Sequence, residues 1–255
     1  MQQGMLGDRI DTRRALLAAF AMLLPLGVVA LVGCGDESGL PQGSEPVDLD
    51  PADFTIEIDN PYWPMRSGSR WVYRERDGEG GTQRVVVTVT DRTKRVADGI
   101  EARVLRDVVS EDGEPVEVTD DWYAQDSDGN VWYLGESTAE YENGEVVSTA
   151  GSWEAGVDGA EPGIAMPADP QPGLAYRQEY YAGEAEDRAE VLGVDEQAEV
   201  PFGHFGDVIV AEDLTPLEPR VLEYKLYARG VGPVLALDVS GASGREELVG
   251  FTRGR

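Results

Sequence analysis

Three groups of residues have types and spacings that could do chemistry. The first is Asp126-Ser127-Asp128-Gly129-Asn130. Asp126, Asp128 and Asn130 set oxygen-bearing side chains at alternate positions, as the start of a calcium loop does, so that one turn of chain can wrap a hard cation. The match stops there. An EF-hand needs Gly sixth and Glu twelfth. Those places hold Val131 and Ser137, with Glu136 one position early. A hairpin turn uses the same residues, because Asp and Asn bond their own backbone and Gly tolerates positive φ. Calcium is thus the one cofactor suggested, against the reading of a plain turn.

The second group is aromatic and acidic. Trp122, Trp132, Tyr133 and Trp153 lie in sequence among Asp121, Asp126, Glu136 and Glu154. Aromatic faces beside carboxylates suit a sugar or a cation. The candidate ligand site is therefore Trp122, Trp132, Tyr133, Glu136, Trp153 and Glu154. Two carboxyls at the right separation could also hydrolyse a glycosidic bond. Core packing of a β domain would use the same aromatics. The third group is the single histidine, His204. It excludes a multi-histidine metal site, and any Ser-His-Asp triad would have to use it. No G-x-S-x-G elbow occurs, and the Gly-rich stretch Gly151–Gly173 contains no phosphate loop. No catalytic residue is assigned. The pattern points to a non-catalytic binding or structural module, with a carboxylate hydrolase near Trp122–Glu154 and a calcium-stabilised structural domain as alternatives.

The one cysteine is Cys34, so no disulfide can form within the chain. Upstream stand Arg9, Arg13 and Arg14, then an uncharged run from Ala15 to Val32, then Leu31-Val32-Gly33-Cys34. Basic, apolar and small-residue regions in that order make a secretory signal. The run is about 18 residues, the lower limit for a membrane span, and Pro25 interrupts it. Leu31–Cys34 resembles the lipobox of bacterial lipoproteins. That resemblance implies cleavage before Cys34, diacylglycerol on its thiol, and attachment to the extracytoplasmic face of a cell membrane. Thr12-Arg13-Arg14-Ala15-Leu16-Leu17 also resembles a twin-arginine export signal.

Formal net charge is −28. Residues 1–33 carry three arginines against two aspartates, which leaves −29 on the rest. Such a surface repels phosphate backbones, so a nucleic-acid partner is not expected. It would repel anionic head groups too, which leaves the lipid on Cys34 to make the membrane contact. The chain is not disordered for all its acidity: five Trp, ten Tyr and five Phe are enough to build a core.

Those candidate residues need a frame, and the frame reads as β. Strands are expected at 70–74, 84–90, 100–109, 116–124, 131–134, 174–181, 189–194, 208–212, 221–227, 234–239 and 247–252. Asp-Gly or Asn-Gly turns separate several of them, as at Asp112-Gly113 and Asn143-Gly144. The expected fold is mainly β, one antiparallel meander forming a curved sheet, half-open barrel or barrel, with few or no helices. Glu184–Val191 is the one stretch with helical character, and Gly151–Gly173 reads as a long loop or lid. In 221–227 the leucines Leu222 and Leu226 alternate with Glu223 and Lys225, as in a half-wet strand. The expected organisation is a signal peptide at 1–33, a lipidated N-terminus and flexible tether at 34–53, and a β domain at 54–255.

Tyr62-Trp63-Pro64, Gly68–Tyr73, Asp121–Asp126, Gly129–Glu136, Gly151–Gly156 and Tyr227 with Gly230-Val231-Gly232 resemble a family of uncharacterised secreted bacterial proteins. The resemblance spans nearly all of 54–255 and implies no activity. At the level of architecture, a lipid-anchored antiparallel domain is similar to lipoprotein carriers that hold acyl chains in a half-open barrel. The partners expected are the membrane through Cys34, and an apolar or amphipathic ligand or an envelope protein.

Overall fold

The computed structural model describes residues 39–255 except 77, 79 and 241–243. The expected signal peptide and Cys34 lie outside the described residues. Within them the chain forms sixteen strands: β1 (Phe54–Thr55), β2 (Arg70–Arg76), β3 (Thr82–Arg95), β4 (Glu101–Glu111), β5 (Glu114–Asp126), β6 (Val131–Glu142), β7 (Glu145–Ser148), β8 (Trp153–Glu154), β9 (Glu161–Met166), β10 (Ala175–Arg177), β11 (Glu179–Tyr180), β12 (Arg188–Val200), β13 (Gly203–Leu214), β14 (Leu222–Ala228), β15 (Gly232–Asp238) and β16 (Arg245–Thr252). One 3₁₀ turn, Pro51–Asp53, precedes β1, and no α-helix occurs among the described residues.

Each expected strand overlaps an observed one. The long strands run as an antiparallel meander from β2 to β6 and again from β12 to β16. β16 pairs with β2, which joins the two meanders into one sheet that curls into a nearly closed barrel. Turn chemistry sets the register. Asp112 and Gly113 have φ of 48° and 92°, and Asn143 and Gly144 have 53° and 80°. Positive φ at both central residues is the turn that matches strand twist.

Side chains alternate across each strand. Which face is inside follows from Trp63, whose ring lies 5.5 Å from Tyr123 of β5 and 5.8 Å from Tyr227 of β14. The segment before β2 thus closes one end of the barrel. Ile58, Met65 and Trp71 are buried there, and the Trp71 indole donates to the Val231 carbonyl. Asn60 fixes the segment by donating from Nδ2 to the carbonyls of Gly129 and Pro167. Away from this floor, β5 turns Asp121, Thr119 and Glu117 inward, and β14 turns Lys225 and Glu223 inward.

The barrel has one seam. β10 pairs with β12 while β11, one residue later, pairs with β9, so the segment 175–180 hands over from one sheet edge to the other. A Cβ on Gly163 of β9 would collide with the Gln178 backbone, so only glycine allows this crossing. The residues 40–47 lie over the seam. The Arg177 backbone N–H donates to the Pro41 carbonyl. Its guanidinium, 1% exposed, donates to the carbonyls of Pro162, Gly43 and Glu45. Val47 donates its N–H to Glu161, and Leu40, Val47 and Leu49 pack against the core.

Three expectations need correction here. Glu184–Val191 is a turn running into β12, because Ala189 and Val191 alternate into the barrel wall. Gly151–Gly173 is no lid: it supplies β8 and β9, which pair with β6. The described part of the expected tether, from Leu40 to Leu49, is docked on the seam rather than free.

Candidate functional site

The inner wall beyond the floor carries carboxyls. A bulge in β6 creates part of this arrangement. Tyr133 and Glu136 are three apart, which on a regular strand would place them on opposite faces. Gly135, at φ 126°, absorbs one residue and leaves both facing inward. Tyr133 sits opposite Tyr123, stacked at 4.9 Å, and Glu136 sits opposite Asp121. A Cβ on Gly135 would strike the Trp153 carbonyl, so the bulge also lets β8 approach.

The Tyr133 hydroxyl lies 2.9 Å from Asp121 Oδ1 and 2.9 Å from Glu136 Oε2. A phenol has one proton to donate. Both contacts are hydrogen bonds only when one carboxyl is itself protonated and donates to the phenol oxygen. Burial pushes Asp121 up to about 7, helped by Asp120 and Glu117 and opposed by Tyr133. Burial pushes Glu136 up to about 8, with Asp121 adding to it. Geometry and electrostatics therefore agree that the pair holds an extra proton near neutral pH.

A second acidic pair adjoins it. Trp153 donates its indole N–H to Glu179 at 2.8 Å, and its ring meets Tyr133 edge-on at 5.4 Å. Glu179 and Asp187 share a hydrogen bond between carboxyls, and burial raises both, Glu179 well above the usual carboxylate range. Next come Asp213 and Glu223 with Lys225, whose ammonium lies 2.7 Å from Asp213 Oδ2 and 3.3 Å from Glu223. Burial alone would lower Lys225, but Asp213, Glu223 and Tyr227 raise it well above its ordinary value. Although enclosed by the wall, the Lys225 side chain keeps 36% of its surface accessible. Asp121, Tyr133, Glu136, Glu179 and Asp187 are likewise only half-buried. Side chains at this level are therefore not close-packed as at the floor, and the acidic lining, the chamber, keeps accessible surface.

The six expected ligand residues separate into three places. Tyr133, Glu136 and Trp153 are on the chamber wall. Trp122 and Glu154 are outside it: Lys94 bonds Glu154 at 2.8 Å and lies over the Trp122 ring at 4.7 Å. Trp122 and Lys94 line a shallow outer groove of about 410 Å³ with Arg92 and Asp120. Trp132 is the second residue of β6, next to the β5–β6 turn, where its indole donates to Asp126 and its ring meets Phe54. Asp121, Glu179, Asp187, Asp213, Glu223 and Lys225 complete the chamber and were not singled out as one site in the sequence. His204 is exposed at the tip of the β12–β13 hairpin.

The Asp126 turn is fully bonded by nitrogen donors. Oδ1 accepts from the backbone of Asp128 and Asn130, and Oδ2 accepts from the Asn130 amide and from Trp132. Asn130 Oδ1 accepts from Ala168. A cation would have to displace these donors. Among the described residues no group of three or more His, Cys, Asp or Glu is arranged to hold a metal ion.

No protein-family model matches the chain, and no curated protein matches it. Two solved structures are similar in part. One is a candidate lipoprotein from Parabacteroides distasonis, 12% identical, covering 76% of this chain and 99% of that one, with a TM-score of 0.42. The other is a β-barrel-like protein of a domain of unknown function, DUF1849, from Brucella abortus, 16% identical, covering 73% and 98%, with a TM-score of 0.35. Among the described residues no helix is long and apolar enough to cross a membrane.

Proposed function

We propose that this chain is an exported lipoprotein, held on the extracytoplasmic face of a cell membrane through lipidated Cys34, whose barrel interior binds an amphipathic ligand without converting it. One observation carries the reading. The interior grades from an aromatic floor, Trp63 with Tyr123 and Tyr227, to a carboxyl-rich chamber around Tyr133. A lining with one apolar end and one polar end suits a molecule with the same division. The test is native mass spectrometry of the lipidated protein released from its own membranes. The reading expects a bound small molecule that is lost on denaturation. Folded protein carrying only its acyl anchor contradicts it.

One observation favours a second reading, a glycoside hydrolase. Asp121 and Glu136 meet at one phenol, so their carboxyl oxygens lie no more than about 6 Å apart, near the spacing of a retaining pair. A raised carboxyl beside an ionised one is the acid-and-nucleophile pattern. Turnover of aryl glycosides that disappears in Asp121→Asn supports this reading. No turnover across α- and β-linked hexosides and pentosides removes it.

A further inference from the structure

The reading of the interior as a ligand chamber leaves open the charge of what enters. Three observations bear on it. First, the chamber is already built to hold an ammonium. Lys225 stays protonated inside the wall because Asp213 and Glu223 face it at 2.7 and 3.3 Å. Secondly, acceptors remain. Asp213 is 10% exposed; its Oδ2 takes Lys225 and the Gln178 amide, while its buried Oδ1 receives no donor from any described residue. A buried carboxylate oxygen without a donor is a vacancy that an incoming N–H group would meet. Thirdly, π faces stand beside the carboxyls: the stacked pair Tyr123–Tyr133 and the Trp153 ring set against it. The quadrupole of such rings attracts cations.

An anion fits none of this. It would face Asp121, Glu136, Glu179, Asp187, Asp213 and Glu223, with the Lys225 charge already engaged. A bare metal ion does not fit either, because no group of three or more metal-ligating residues has the arrangement to take it among the described residues. We infer that the chamber binds an organic cation, its charged head among Asp121, Glu136, Glu179 and Asp213 and its apolar body against Tyr123, Tyr133 and the Trp63 floor. This rests on the proposed ligand chamber and adds the ligand's charge and the residues that read it.

The experiment compares three probes of similar size: benzylammonium, which carries N–H donors, benzyl alcohol and benzoate. Each is titrated calorimetrically into the full lipidated chain in phosphatidylcholine nanodiscs, with empty nanodiscs subtracted. The same titrations use the double variant Asp121→Asn, Glu136→Gln, whose thermal midpoint is measured alongside. Expected is binding of the cation at least about tenfold tighter than of either other probe. Expected also is an about tenfold loss in the double variant while its midpoint holds or rises, so that lost binding is not lost folding. Equal or tighter binding of benzoate or benzyl alcohol overturns the charge assignment and leaves the chamber standing. Cation binding unchanged in the double variant overturns the assignment of the head-group site. Binding of no probe at millimolar concentration overturns the chamber as well.

Discussion

Both halves of the barrel interior are lined with tyrosine and tryptophan, yet those rings do different things. At the floor, Trp63 fills the space between Tyr123 and Tyr227, and Trp71 is 1% exposed with its indole N–H bonded to Val231. Every ring there meets another ring or an apolar side chain. In the chamber, Tyr133 and Trp153 instead spend their polar atoms on carboxyls, and the side chains around them retain accessible surface. The floor is what closes the fold. The chamber is a region the fold tolerates, since burying several carboxyls works against stability unless they hold protons or partners.

The largest test of this contrast is at the floor. Trp71→Ala removes a fully buried ring and its hydrogen bond, and is expected to cost about 3–5 kcal/mol in urea unfolding. A loss below about 1 kcal/mol would mean that the floor does not hold the barrel shut. Next is pH. Asp121 and Glu136 have folded values near 7 and 8, above the ordinary carboxylate range that they would show unfolded. A raised carboxyl binds more protons folded than unfolded between those values. Its contribution is therefore complete below about pH 4 and is lost as pH rises through 7 to 8. The thermal midpoint should fall steadily from pH 5 to pH 8.5, by a free energy on the order of a few kcal/mol. A midpoint that is flat over this window would contradict the buried proton.

The chamber variants reverse the usual outcome. Asp121→Asn with Glu136→Gln is expected to raise stability at pH 8.5 by about 1–2 kcal/mol and to flatten the pH profile, because a neutral amide need not be ionised inside the wall. At the seam, Arg177→Ala leaves the carbonyls of Pro162, Gly43 and Glu45 without their donor, and should cost about 1–3 kcal/mol while exposing 40–47 to proteolysis. The smallest expected effect is calcium. With the Asp126 oxygens held by nitrogen donors, millimolar calcium or chelator should leave the thermal midpoint in place; a rise with calcium would instead support the calcium-stabilised reading.

The β architecture was legible in the sequence because its signals are local. Asp112-Gly113 and Asn143-Gly144 specify tight turns whatever surrounds them, and 131–134 reads as covered on both sides, as Val131 and Leu134 at 0% exposure are. The chamber was less legible for two physical reasons. Alternation in 221–227 separates Glu223 and Lys225 from Leu222 and Leu226, but it does not say which face is inside. The usual expectation sends the charges outward. Here they face inward, and Leu226 and Leu235 on the outer face are buried, where the far half of the β12–β13 hairpin reaches β15 and β16. The Gly135 bulge then changes the parity of β6, so that Tyr133 and Glu136 share a face that spacing alone denies them. Glu179 of β11, Asp187 just before β12 and Asp213 of β13 lie on both sides of the seam, and nothing in their spacing brings them together.

The measurement that bears most directly on the enclosed acidic chamber is a ¹³C titration of the Asp121 and Glu136 carboxyls by NMR, each assigned by its Asn or Gln variant. The account predicts that they titrate near pH 7 and 8, apart from the exposed carboxylates of the same protein. Titration of both near pH 4, together with the surface groups, would mean an open, solvated sheet with no proton shared through Tyr133, and would contradict it.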